Sequence, residues 1–227
     1  MSTSEQTPPI NDIETKYQQH AQPVVPIYAA PTVANPGPLG LSAFALTTFV
    51  LSLHNAGAGV PASGPSNVVV GLAFFYGGLT QLLAGMWEFK TGNTFGATAF
   101  SSYGGFWLSY GLIFIPGANI VTPYEASGLP SNILDQSLGI YLLSWAIFTG
   151  IMLIASHRSS AGLMALFFFL FLTFILLAAG KFNQSLNTQI AGGAFGVITA
   201  VIAWYNALSG LLTKESSFFL LPTGRLS

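Results

Sequence analysis

Gln81 and Glu88 stand two helical turns apart in FFYGGLTQLLAGMWEFK, and i, i+3, i+4 spacing puts them on one face with Phe74, Gly78 and Gly85. An amide and a carboxyl on one stripe can hydrogen-bond a small polar solute, and the carboxyl can take up a proton. Phe44, Thr47, Leu51 and then His54 or Asn55 fall on one face by the same rule, so a second stripe ends in an imidazole or an amide. Tyr103 and Trp107 follow, one turn apart, in FGATAFSSYGGFWLSYG. NPGPLGL, from Asn35 to Leu41, has the form of a helix start, with Asn35 able to cap and Pro tolerated in the first turn. The free N–H groups of such an end suit a small anion. Each residue also has a plainer role open to it. Gln81 and Thr47 can make interhelical hydrogen bonds, worth about 1 kcal/mol or less in a membrane. Glu88 can pair with Lys90 or sit at a solvated helix end, the aromatics can pack or anchor, and Asn35 can simply start a helix.

Other chemistry is excluded. Without cysteine there is no disulfide, thiolate nucleophile or Cys-ligated metal. No Ser-His-Asp arrangement can be assembled, since His20 lies in a polar N-terminal stretch and His54 and His157 close apolar segments on opposite sides. Neither has a second His or acid at ligand spacing, so no metal site and no cofactor are expected. Six Lys+Arg against seven Asp+Glu give a net charge of -1, which offers nucleic acid no basic surface. No enzyme activity is expected.

The elements that carry these residues are marked by missing charge. The chain has 227 residues, 52% of them hydrophobic and only 6% charged. Average soluble proteins carry about 25% charged residues. Mean hydropathy is +0.62. Lys, Arg, Asp and Glu are absent from Tyr17 to Trp87, Thr91 to Tyr124, Gln136 to His157, Ser159 to Gly180 and Phe182 to Thr213. A spanning helix needs about 20 mostly apolar residues for about 30 Å of hydrocarbon. The expectation is an all-α integral membrane protein with six transmembrane helices around a pathway within each protomer. They are placed at Leu39–His54, Val68–Phe89, Phe95–Ile115, Ser137–Ser156, Leu163–Gly180 and Ile190–Leu212. Runs such as LMALFFFLFLTFILLAAG are continuous rather than alternating, which argues against a membrane barrel. Gly92-x-x-x-Gly96 and Gly192-x-x-x-Gly196 predict close helix packing.

Three regions follow: a disordered polar tail over 1–34, the six-helix membrane domain over 35–213, and a short tail over 214–227. The first lacks the basic and apolar regions of a signal peptide. With the N-terminus in the cytoplasm, Lys16, Lys90, Arg158, Lys214 and Arg225 all fall inside and only Lys181 outside. The positive-inside rule therefore predicts cytoplasmic N- and C-termini. Asn183-Gln-Ser185 matches a glycosylation sequon but lies too near the bilayer for use.

NPGPLGL, LHNAG at the end of the first span, FFYGGLTQLLAGMWEFKTGNTFGATAFSSYGGFW across the next two, and GIYLLSWAIFT in the fourth resemble the acetate uptake transporter family of the Gpr1/Fun34/YaaH type. The resemblance runs in order from about Asn35 to Gly210 with the same six-span plan. Its specific part is the first-span motif combined with GNTFGATAFSSYGGFW. It implies transport of acetate, and of other short monocarboxylates or succinate, across the plasma membrane. The transporter would be a homo-oligomer, a hexamer with one pathway per protomer. The resemblance also implies a hydrophobic constriction of a Phe, a Tyr and a Leu, carried over to Phe44, to Tyr103 in SSYGGFW and to Leu170 in FFFLFLTFILLAAG. Glu88 falls in the segment where fungal members carry an acid that influences substrate choice. Gly37 stands where the family's motif usually has Ala, and a small residue there keeps the helix start.

The expected path enters near His54 and Asn55, passes Thr47 and Gln81, crosses the ring of Phe44, Tyr103 and Leu170, and leaves by Asn35 and Glu88, with Trp107 along the way. The spans hold no Arg, so the acid is expected to cross neutral or with a proton, unless Tyr103 and backbone donors replace water around the anion. The partners are then acetate or a similar small carboxylate, the proton and membrane lipid. A sensor that binds acetate without moving it, and an exporter of ammonia, are the alternatives.

Overall fold

The computed structural model describes residues 33–224 and 226. The N-terminal tail as far as residue 32, and Arg225 at the other end, lie outside the described residues. Among the described residues six long helices are present: α1 (Gly37–Ala56), α2 (Val69–Thr91), α3 (Thr94–Ile113), α4 (Ile133–Ser156), α5 (Ala161–Phe182) and α6 (Leu186–Leu211). The α3–α4 connection holds a 3₁₀ turn at Pro116–Ala118 and one helical turn at Thr122–Ala126.

Local chemistry sets the ends. Asn93, Ser160 and Ser185 each accept a hydrogen bond from the backbone N–H three residues on, starting α3, α5 and α6. Gly57 and Gly92, at φ 74° and 80°, end α1 and α2 in the left-handed conformation that glycine adopts without strain. Gly92 therefore closes a helix and has nothing packed where a Cβ would stand, so it takes no part in the helix contact predicted for it.

Five of the six helices, all but α3, are long and apolar enough to cross a membrane. Five of the six expected spans therefore correspond to helices long and apolar enough to cross a membrane, and the third, α3, is long but does not meet that description. Its Gly, Ser, Thr and Tyr content follows from what it packs on. Gly85 of α2 lies against Ser101, and Gly104 lies against Leu82 and the Gly78 carbonyl, so α2 and α3 approach closely.

Contacts run α1 to α6, α6 to α5, α5 to α4 and α3 to α2, with α1 also packed on the middle of α2. Tyr103–Thr149 and Ser109–Tyr141 hydrogen bonds join α3 to α4 and close the ring. The second glycine motif does pack tightly. Gly192 lies against Leu177 of α5, Gly193 on the backbone of Asn55 and Ala56, and Gly196 on Ser52. Gly193→Val is accordingly expected to lose about 1–3 kcal/mol through overpacking. The loss reads as a lower melting temperature in detergent, with Gly71→Ala, which meets no atom within 4 Å, as the unchanged control.

After α6 the chain turns back. The carbonyls of Thr223 and Gly224 accept from the N–H groups of Gly162 and Ala161, the first residues of α5. Tyr205 and Ser209 of α6 donate to the carbonyls of Pro222 and Leu221. The segment expected as a short tail is therefore fastened, through its described residues, to two helices.

Candidate functional site: two cavities and the ring between them

α2 does not run as a plain α-helix. Phe75–Thr80 widen into a π turn, and the Thr80 hydroxyl donates to the Phe75 carbonyl at 2.8 Å. Gly77 within it seats against Thr47 of α1. Wide turns of this kind are often found at functional sites. Gln81 follows directly, wholly buried, and Gly78, Gly85 and Glu88 are buried with it as the stripe predicted.

Two cavities open among the described residues. One, of about 280 Å³, is lined by Thr48, Leu51, His54, Asn55 and Trp107 among others. The other, of about 160 Å³, is lined by Asn35, Gln81, Glu88, Asn93 and Tyr103 among others. Phe44 and Leu170 line both. Phe44, Tyr103 and Leu170 are all buried and belong to one apolar cluster, with the Phe44 and Tyr103 ring centroids 5.8 Å apart. Of the three residues carried over as a constriction, Phe44 and Leu170 thus border both cavities and Tyr103 borders the second.

Most of the other candidate residues reach a cavity, though not all where expected. His54, Asn55 and Trp107 line the first, and Asn35, Gln81 and Glu88 the second. Gln81 therefore lies on the same side of the ring as Glu88, not on the His54 side where the expected path put it. Thr47 lines neither cavity. Its hydroxyl donates to the Ala43 carbonyl at 2.9 Å, and its side chain fills the contact with Gly77. Thr48, one residue on, takes the cavity position.

Pro36 holds the N-cap position of α1, and Asn35 just before it accepts from the Gly37 N–H through Oδ1 at 3.0 Å. Gly37 in turn lies beside Asn35 and Glu88. Glu88 is neither solvated nor paired with Lys90. It is buried, and its carboxylate accepts from Asn93 Nδ2 at 2.8 Å and from the Thr91 hydroxyl at 3.3 Å. Lys181, unremarked as a site residue in the sequence, lines the first cavity and donates to Asp135 at 2.7 Å.

Three cavity-lining residues carry buried polar atoms with no hydrogen-bond partner among the described residues. These are Thr48 Oγ1 and Trp107 Nε1 in the first cavity, and both amide atoms of Gln81 in the second. Leaving such a group unpaired costs about 1–3 kcal/mol. Each of the three side chains can donate a hydrogen bond, and the indole can do nothing else. Among the described residues no Lys or Arg lines the second cavity. The arrangement offers hydrogen-bond donors on both sides of an apolar ring, with one buried carboxyl on one side.

Comparison with known proteins gives this geometry a lineage. Acetate permease A of Emericella nidulans is 50% identical over 196 residues, covering 83% of this chain and 65% of that protein. Accumulation of dyads protein 2 of Saccharomyces cerevisiae is 53% identical over 190 residues, covering 82% and 64%. The chain thus spans a little under two thirds of the length of these fungal relatives. The solved structure of the bacterial acetate channel SatP superposes with a TM-score of 0.72 at 36% identity, over 85% of this chain and 100% of that one. The profile of the GPR1/FUN34/yaaH family matches residues 17–227, and the chain belongs to that family.

Proposed function

We propose that this protein moves acetate and other short carboxylates across the plasma membrane through the two cavities and the ring between them. The observation that carries the reading is the set of buried, unpaired donors on either side of Phe44, Tyr103 and Leu170. Relatives named for acetate support the choice of solute. All six long helices span the bilayer in this reading, α3 tolerating its polarity because neighbours cover much of it. The termini are cytoplasmic, so the His54 cavity opens outward and the Asn35 cavity inward. Thr98, Gly105 and Ser109 are exposed on α3, an unfavourable face for lipid, which supports a homo-oligomer and the hexamer expected from the family.

The carboxylate first meets Trp107 and Thr48, with Lys181 near the mouth. It crosses the ring and is received by Gln81, then leaves past Glu88 and Asn35. A bare carboxylate pays several kcal/mol for desolvation in such a ring, even after relaxation. Among the described residues the inner cavity supplies no cation to offset that cost. The acid therefore crosses with a proton, and Glu88, buried and already hydrogen-bonded, is the group placed to exchange it.

The test is labelled acetate uptake into proteoliposomes with and without an inward proton gradient. Uptake above protein-free vesicles that rises with the gradient is expected, and Glu88→Gln should lose the rise. Uptake indifferent to the gradient would make the protein an anion channel. Folded protein without uptake would turn the reading toward a sensor, or toward ammonia export if ammonium efflux is found.

A further inference from the structure

Tyr103 is the ring member whose polar atom is spoken for. Its hydroxyl lies 2.8 Å from Thr149 Oγ1 of α4, and Thr149 Oγ1 donates to the Trp145 carbonyl at 2.7 Å. A threonine hydroxyl has one proton. Thr149 gives that proton to Trp145, so the Tyr103 O–H must be the donor to Thr149. The phenol is thereby turned from the cavities toward α4. Thr149 is fully buried and lines neither cavity, so it stands behind the ring and cannot touch the solute in the pathway. Tyr103 also packs against rings, Phe44 at 5.8 Å, Phe148 at 5.5 Å, Trp145 at 6.0 Å and Phe167 at 6.3 Å between centroids. Such contacts set distance but restrain ring orientation far less than a directed hydrogen bond.

We infer that Thr149 is a positioning residue that sets carboxylate selectivity by holding the Tyr103 hydroxyl away from the pathway. The inference deepens the proposed function and rests on it. One consequence changes the expected mechanism. Tyr103 has no proton to offer a passing carboxylate, so the ring is apolar on its pathway side and discriminates by size and desolvation. Without its acceptor the phenol O–H would be an unpaired buried donor, free to turn toward the second cavity, which Tyr103 lines.

The experiment compares Thr149→Val, nearly isosteric, with Thr149→Ser, which keeps the acceptor. Uptake of labelled acetate and of labelled propionate is measured in proteoliposomes for each. Thr149→Val should reduce the acetate preference by about three- to tenfold, the scale of one hydrogen bond, and Thr149→Ser should retain it. In a Tyr103→Phe background, which lacks the donor, Thr149→Val should cause no further change in the ratio. Equal loss of both substrates in Thr149→Val, or a ratio change that persists in the Tyr103→Phe background, would overturn the inference. The hydrogen bond is read without flux from the Tyr103 ring doublet in ultraviolet resonance Raman difference spectra against Tyr103→Phe. A donor signature lost in Thr149→Val and kept in Thr149→Ser, with wild-type protein that moves no acetate, would sink the transport reading and leave only the orientation of Tyr103. The same signature change with an unaltered selectivity ratio would sink the positioning role itself.

Discussion

Leu170→Ala should admit lactate, raising its uptake relative to acetate by about tenfold or more, since one methylene of fit is worth about 10–200-fold in discrimination. Leu170 borders both cavities and belongs to the same buried cluster as Phe44 and Tyr103. Truncating it removes bulk at the place where the two spaces meet, so the gain in width falls where solute size is judged. A core Leu→Ala change costs about 2–5 kcal/mol. The low end is expected here because the side chain already borders open space. Phe44→Ala should act in the same direction. Phe174→Ala is the informative control: Phe174 lines the first cavity alone, so it should alter stability more than selectivity. Competition between labelled acetate and lactate in proteoliposomes reads all three. If Leu170→Ala and Phe44→Ala fold and keep the wild-type ratio, these residues do not form the constriction.

The helices were legible in the sequence because charge is so sparse. Each gap between charged residues holds the body of one or two long helices, and helix ends fall at Gly57, Gly92, Ser160 and Ser185, residues whose capping chemistry is local. The stripe of Gln81 and Glu88 was legible by periodicity. Its depth was not. Periodicity fixes the face of one helix but not its height against residues on another, so Gln81 was assigned to the wrong side of the ring. Thr47 and Thr48 show a second limit. Both lie between Phe44 and Leu51 at i+3 and i+4, and only the approach of Gly77 decides which is packed and which faces the cavity. Asn93 had two roles in one residue, capping α3 and donating to Glu88, and the sequence advertises only the first. Thr149 closes the GIYLLSWAIFT segment that carries part of the resemblance, but nothing in that segment marks its role, which is proposed from a contact 46 residues away along the chain.

Gln81→Leu separates function from packing, because the two make opposite predictions for it. Gln81 is wholly buried, and neither its amide oxygen nor its nitrogen has a partner among the described residues. A side chain kept for stability would not be left in that condition, which costs about 1–3 kcal/mol per unpaired group. Leu has similar size and no polar atoms, so the variant should fold with equal or higher thermal stability. Transport should suffer. A hydrogen bond between neutral groups is worth about 0.5–1.5 kcal/mol, so losing the amide that receives the protonated acid should lower acetate uptake by about two- to tenfold. The defect should fall on all short carboxylates alike, since the amide meets the head group they share, whereas Leu170→Ala changes the ratio between them. Melting temperature and uptake measured on the same preparation decide the matter. Loss of uptake with stability kept places Gln81 on the pathway. Loss of both makes it a structural residue whose partner is supplied by the assembled protein. Wild-type uptake in a stable variant removes it from the mechanism and leaves Trp107 and Thr48 as the donors that meet the solute.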